Sequence, residues 1–155
     1  MKKLFTTMLL VSIFAVQAQS QEIYKEVKRL MQTFENISSD TKRDIQERKV
    51  AVFKADALYY LIDKAGSTDG FTEYQLGQQA DAMIEFVNLY VKRLQTAGKN
   101  ERKTIMARFK NATMSNALFG DMEKEVVYGY VDNENFITQF SLDTNWTDAL
   151  KAVKR

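Results

Sequence analysis

Cysteine, histidine and proline are all absent from this 155-residue chain, and only six glycines occur. Without cysteine no disulfide can staple the fold, and no thiol follows the first apolar run to accept a lipid anchor. Without histidine the commonest general base near neutral pH and the commonest transition-metal ligand are both missing, so any chemistry falls to carboxylates, lysine or tyrosine. With no proline and few glycines, obligatory breaks are scarce, which favours long helices over a turn-rich β fold. None of the glycines falls in a phosphate-binding or dinucleotide-binding spacing.

The N-terminus is the most specific signal present. Met1-Lys2-Lys3 precedes an apolar run from Leu4 to Val16, and Ala18 precedes the polar Gln19-Ser20-Gln21. A charged start, a short apolar middle and a small-residue exit form a secretory signal peptide, expected to be cleaved between Ala18 and Gln19. The apolar stretch falls short of the roughly twenty residues a permanent membrane span needs, so no stable insertion is expected after cleavage. The expected product is a soluble periplasmic or secreted protein, a single domain over 19–155.

Net charge supports no polyanion partner. The formal +2 of the full chain resides in Lys2 and Lys3, and their removal leaves twenty basic against twenty acidic side chains. The charges are nevertheless segregated. Residues 92–110 carry seven basic groups against Glu101, and residues 121–148 carry seven acidic groups against Lys124. The simplest expectation is that these runs neutralise each other across the fold. The basic run has Phe109 as its one aromatic, so bases would find no stacking platform and no nucleic-acid partner is expected.

Hydrophobic spacing predicts a mainly α fold: an antiparallel four-helix bundle-like domain, then a small C-terminal β-hairpin and a short terminal helix. Ile23, Val27, Leu30, Phe34 and Ile37 form one face of a first helix over about 21–36. Thr41 and Asp44 have the form of a capping box opening a second helix over about 41–65, whose apolar residues spread around its circumference between Val50 and Ile62. Lys54 and Asp56 are the only charges in that stretch. Thr72 with Gln75 caps a third helix with the seam Leu76, Ala80, Met83, Val87, Tyr90, Leu94 and Ala97, expected to end at Gly98. A fourth helix is expected over about 100–119, closed by Gly120, with Ile105, Phe109 and Ala112 inward. Val126–Val131 and Phe136–Phe140 read as strands around a turn at 132–135, although a helical reading of 126–140 also fits the apolar spacing. Trp146, Leu150 and Val153 then mark a last helix over about 145–154, capped by Thr144 or Asn145.

Candidate sites are few. Asp56 is the weak catalytic candidate, because Val52, Phe53, Tyr59 and Tyr60 surround it and an apolar environment raises a carboxyl pKa. The bland alternative places it at a solvated helix edge beside Lys49 and Asp63, or on a tyrosine hydroxyl. Asp81 and Glu85 lie one turn apart but opposite the apolar seam, where they would face water. Asp143, Asn145 and Asp148 open like a calcium loop and then lose its spacing, so helix capping explains them better and no metal is expected. Among the aromatic residues Tyr59, Tyr60, Tyr74, Tyr90, Tyr128, Tyr130 and Trp146, the binding candidates are Tyr128, Tyr130 and Trp146; the first two share a face if they lie in a strand. The expected role is a non-catalytic module binding an envelope or extracellular protein or glycan, without cofactor. The alternative is a carboxylate-based hydrolase of envelope polysaccharide.

Overall fold

A computed structural model describes residues 2–121, 127–128 and 140–155, with side chains from residue 21 onward except at 127 and 128. Five helices and one pair of short strands account for the described residues: α1 (Lys2–Ser39), α2 (Ile45–Ser67), α3 (Glu73–Thr96), α4 (Lys99–Met114), β1 (Val127–Tyr128), β2 (Phe140–Ser141) and α5 (Trp146–Lys154). The fold is mainly helical, as the spacing predicts. Helices α1, α2 and α3 pack on one another, and α4, α5 and β2 close over α3. Among the described residues no helix is long and apolar enough to cross a membrane.

The predicted seams become the core. Leu76, Ala80, Met83, Val87, Tyr90 and Leu94 of α3 are all buried, and α3 begins with the expected reciprocal cap: Gln75 N–H donates to Thr72 Oγ1 and Thr72 N–H to Gln75 Oε1. From α1, Val27 is buried while Ile23, Leu30 and Phe34 pack against the same core. Helices α1 and α3 approach closely at Gly77, where an added Cβ would stand 3.1 Å from Ile23 Cγ2. The centre is aromatic. Phe140 has ring centroids of Phe53, Phe86 and Tyr90 within 5.0 to 5.5 Å, and Trp146 lies against Phe53 and Phe86 at 6.1 and 5.5 Å.

Helix α1 runs from Lys2 to Ser39 rather than over about 21–36, and three further boundaries differ from expectation. Helix α2 begins at Ile45 because Asp44 itself caps it, accepting from Gln46 N–H at 2.8 Å, so the box at Thr41 does not form. Gly98 does not close α3; Ala97 is the C-cap, and Gly98 opens α4 with its N–H bonded to Glu101. Helix α4 ends at Met114 rather than near 119, because Asp143 captures the next amides: Leu118 and Phe119 N–H donate to Oδ1 at 3.0 and 2.7 Å, and Asp121 N–H donates to Oδ2 at 2.8 Å. Gly120 lies within this turn at φ +66°, a conformation that only glycine adopts without strain.

The strands pair antiparallel, Val127 opposite Ser141 and Tyr128 opposite Phe140. The turn at 132–135 lies outside the described residues. Helix α5 is fixed at both ends. At its start Asn145 accepts from Asp148 N–H, Asn145 N–H donates to the Asn116 carbonyl, and Trp146 N–H donates to Gln79 Oε1. At its end Arg93 and Arg108 donate to the carbonyls of Val153 and Ala152 at 2.8 and 3.1 Å. Cations at the negative end of a helix dipole are favourable, so two members of the basic run have a local role in holding α5.

Candidate functional site

The seam between α1 and α2 has a solvent edge that carries chemistry. On α1, Tyr24, Lys28, Met31 and Glu35 recur at four-three-four spacing, one stripe round from the core-facing residues. On α2, Asp56, Tyr59, Ile62, Asp63 and Gly66 run the opposite way. Tyr24, Lys28, Met31, Tyr59, Ile62, Asp63, Gly66 and Ser67 line an open groove of about 580 Å³. Tyr59 stands 64% exposed at its wall, and the Lys28 ammonium lies 4.6 Å from the ring centroid of Tyr24. The groove therefore offers apolar rings and a thioether flanked by an ammonium, a carboxylate and a hydroxyl.

One turn further along the same seam, Asp56 meets the influence of Glu35. Asp56 is half-buried, and burial first, then the Glu35 charge, hold its carboxyl above the usual aspartate range. The carboxylate neighbour comes from α1, across the seam. Asp81 and Glu85 are exposed, and Glu85 pairs with Lys154 at 2.6 Å.

The three aromatic binding candidates fare differently. Trp146 is fully buried, which removes it from any binding surface: the first turn of α5 points inward, and its indole completes the aromatic core. Among the described residues the indole N–H, which is buried, has no hydrogen-bond partner, and the ring is held by packing against Phe53 and Phe86. Tyr128 lies in β1 opposite Phe140, and its side chain is outside the described residues, as is the whole of Tyr130. Tyr60 and Tyr90 are core residues. The Tyr60 hydroxyl donates to Asp121 Oδ2 at 3.4 Å, and burial, with Asp143 and Asp121 nearby, pushes its pKa upward.

The acidic residues read as a failed calcium loop have other employment. Asp143 holds the 118–121 turn, Asn145 caps α5, and Asp148 pairs with Lys151 at 3.1 Å. Asp121 of the acidic run pairs with Lys64 on α2 at 2.5 Å. Among the described residues no cluster of acidic side chains has the arrangement of a metal site.

No family model, curated protein or solved structure matches this chain. Its site is therefore defined by its own geometry. The features that sequence reasoning missed lie beside the core-facing stripes of α1 and α2. Tyr24 and Met31 interrupt an otherwise polar stripe, and the Tyr59-Tyr60 doublet carried a second signal. Adjacent helical residues point about 100° apart, so burying Tyr60 turns Tyr59 outward.

Proposed function

We propose that this is an exported, non-catalytic binding module that takes a glycan into the α1–α2 groove. The observation that carries the reading is Tyr59, 64% exposed across the groove from Tyr24, with Lys28, Asp63 and Ser67 supplying polar contacts at the rim. Tyrosine rings offer an apolar face to a sugar ring, and short polar side chains beside them can bond its hydroxyls. A glycan suits this surface better than a protein partner. Among the described residues the exposed large apolar side chains, Ile45, Tyr59, Tyr74 and Met114, are spread over three helices, and Ile45 lies about 21 Å along α2 from Tyr59. Scattered single residues do not make the contiguous patch that protein interfaces use. Export rests on residues 1–18, whose pattern supports cleavage between Ala18 and Gln19.

Two measurements test the reading. N-terminal sequencing of protein recovered outside the cytoplasm should begin at Gln19. On a glycan array, Tyr59→Ala should lower binding about tenfold, the usual loss on truncating a central aromatic contact, without lowering the melting temperature. Capture of a protein by wild type and not by Y59A, with no glycan retained, would replace the glycan with a protein ligand.

The carboxylate pair supports a second reading, a hydrolase acting on envelope polysaccharide. A sugar chain lying on Tyr24 and Tyr59 would extend towards Asp56 and Glu35. The raised carboxyl of Asp56 suits the acid that protonates a leaving oxygen, with Glu35 as base or nucleophile. Hydrolysis by wild type that disappears in Asp56→Asn, with binding retained, is the outcome that favours this reading over the first.

A further inference from the structure

On the opposite side of α2 lies a second pocket that the groove does not use. It measures about 350 Å³ and is lined by Gln46, Glu47, Val50 and Lys54 of α2, by Asp44 at its cap, and by Asn88, Val91, Lys92 and Gln95 of α3. Lys54 is 7% exposed, a depth at which an ammonium is rare without an opposite charge. Its Nζ donates to Asn88 Oδ1 at 2.6 Å and lies 5.0 Å from the Phe34 ring centroid, a neutral acceptor and a π face. Burial lowers its pKa, and no carboxylate contributes to that shift.

The two acidic residues of the rim are engaged elsewhere. Asp44 caps α2 through Gln46 N–H, and Glu47 is ion-paired with Arg43. Lys92 adds a second ammonium at the mouth, four residues from Asn88. Gln46 contributes the opposite polarity: among the described residues its Oε1 is buried without a hydrogen-bond partner, an acceptor that lacks a donor and lies just beneath the pocket surface. An ammonium has three N–H donors, and the Asn88 bond uses one. The pocket thus combines a buried cation that has donors to spare with one unsatisfied acceptor that a rotation of the Gln46 side chain would bring to its wall.

We propose that this pocket binds a small hydroxycarboxylate, its carboxylate on the Lys54 ammonium with Lys92 at the mouth, its hydroxyl donating to Gln46 Oε1 once that side chain turns into the pocket. The volume corresponds to roughly ten to twelve water molecules, which accommodates a ligand of this kind. Placing an anion on Lys54 gives the buried charge the pairing it otherwise lacks. The proposal is independent of the α1–α2 groove and holds whichever ligand that groove takes.

Calorimetric titration of the purified protein tests it, with malate, succinate and inorganic phosphate as probes. Malate should bind and raise the melting temperature, and succinate, which lacks only the hydroxyl, should bind about tenfold more weakly because Gln46 Oε1 stays unpaired. Lys54→Met, similar in volume and uncharged, should lose malate binding by at least about tenfold, the effect of removing a charge-assisted bond, while melting no lower than wild type. Gln46→Leu should bind malate and succinate equally, and it serves as the decisive variant if K54M fails to fold. No binding of malate, equal binding to K54M, or binding of phosphate in preference to malate would each overturn the assignment.

Discussion

Replacing Gln79 by leucine removes the contact that fixes the start of α5. Gln79 is 6% exposed on α3; its Oε1 accepts from Trp146 N–H at 2.6 Å, and its Nε2 donates to Asn145 Oδ1 at 3.2 Å. Leucine has similar volume and fills the space, so the change is mainly in hydrogen bonding. Trp146 is fully buried, and its amide is one of the first-turn donors that no helical carbonyl can serve. Leaving such a buried donor unpaired costs about 1–3 kcal/mol, and the lost bond to Asn145 adds about 0.5–1.5 kcal/mol. The better burial of leucine offsets about a third of this total, leaving a net loss of about 2 kcal/mol. For a domain of this size that corresponds to a fall in melting temperature of about 6 °C, at about 3 °C per kcal/mol. Urea unfolding of Gln79→Leu, Asn145→Ala and the double variant gives the full comparison. Because Gln79 and Asn145 touch, the double variant should lose less than the sum of the singles. A Q79L protein within about 0.5 kcal/mol of wild type, the range of an ordinary surface change, would refute this account of how α5 is held.

Trp146→Ala should destabilise by about 3–5 kcal/mol in the same assay, the loss expected for emptying a fully buried aromatic site. Gly120→Ala should cost about 1 kcal/mol, since the +66° φ disfavours any Cβ; Gly66→Ala, in the last turns of α2 with open space around it, should be neutral or gain about 0.5 kcal/mol in thermal unfolding. The raised pKa of Asp56 fixes a sign with pH. The folded state holds that proton to higher pH than the unfolded chain does, so the Asp56 contribution to stability falls as pH rises from about 4, the ordinary aspartate value, through the folded pKa. Asp56→Asn should therefore gain stability relative to wild type on going from acid to neutral pH; an unchanged or reversed difference contradicts the burial of that carboxyl.

The helices and most of the core were legible because their signals are local. A four-three seam such as Leu76 to Leu94 needs one buried face, and α3 supplies it whatever it packs against. Boundaries were legible only where no distant group competed for the backbone. Thr72 and Gln75 cap α3 as expected, whereas the end of α4 depends on Asp143, more than twenty residues away. Trp146 was misread for a related reason. An amphipathic residue in a short terminal helix fits a surface or a core equally well, and Phe53, Phe86 and Gln79 decide between them. Lys54 and Asp56 stood out as the only charges in an apolar stretch of α2, and helical geometry sends them to opposite sides, but the sequence could not show that Asn88 of α3 meets the one and Glu35 of α1 influences the other. The groove depends on which stripes of α1 and α2 come together, information that neither helix carries alone.

The position of Phe140 and Trp146 also constrains when this chain can fold. Both belong to the last sixteen residues, and both sit among Phe53, Phe86 and Tyr90 at the middle of the core. During synthesis α1, α2 and α3 emerge first and can associate, but their apolar centre stays open until residues 140–146 are free to enter it. A chain truncated before residue 140 should stay loosely packed and vulnerable to proteases. Stability is thus withheld until the segment carrying Phe140 and Trp146 has joined the helices, and a chain that has not reached that point remains pliable.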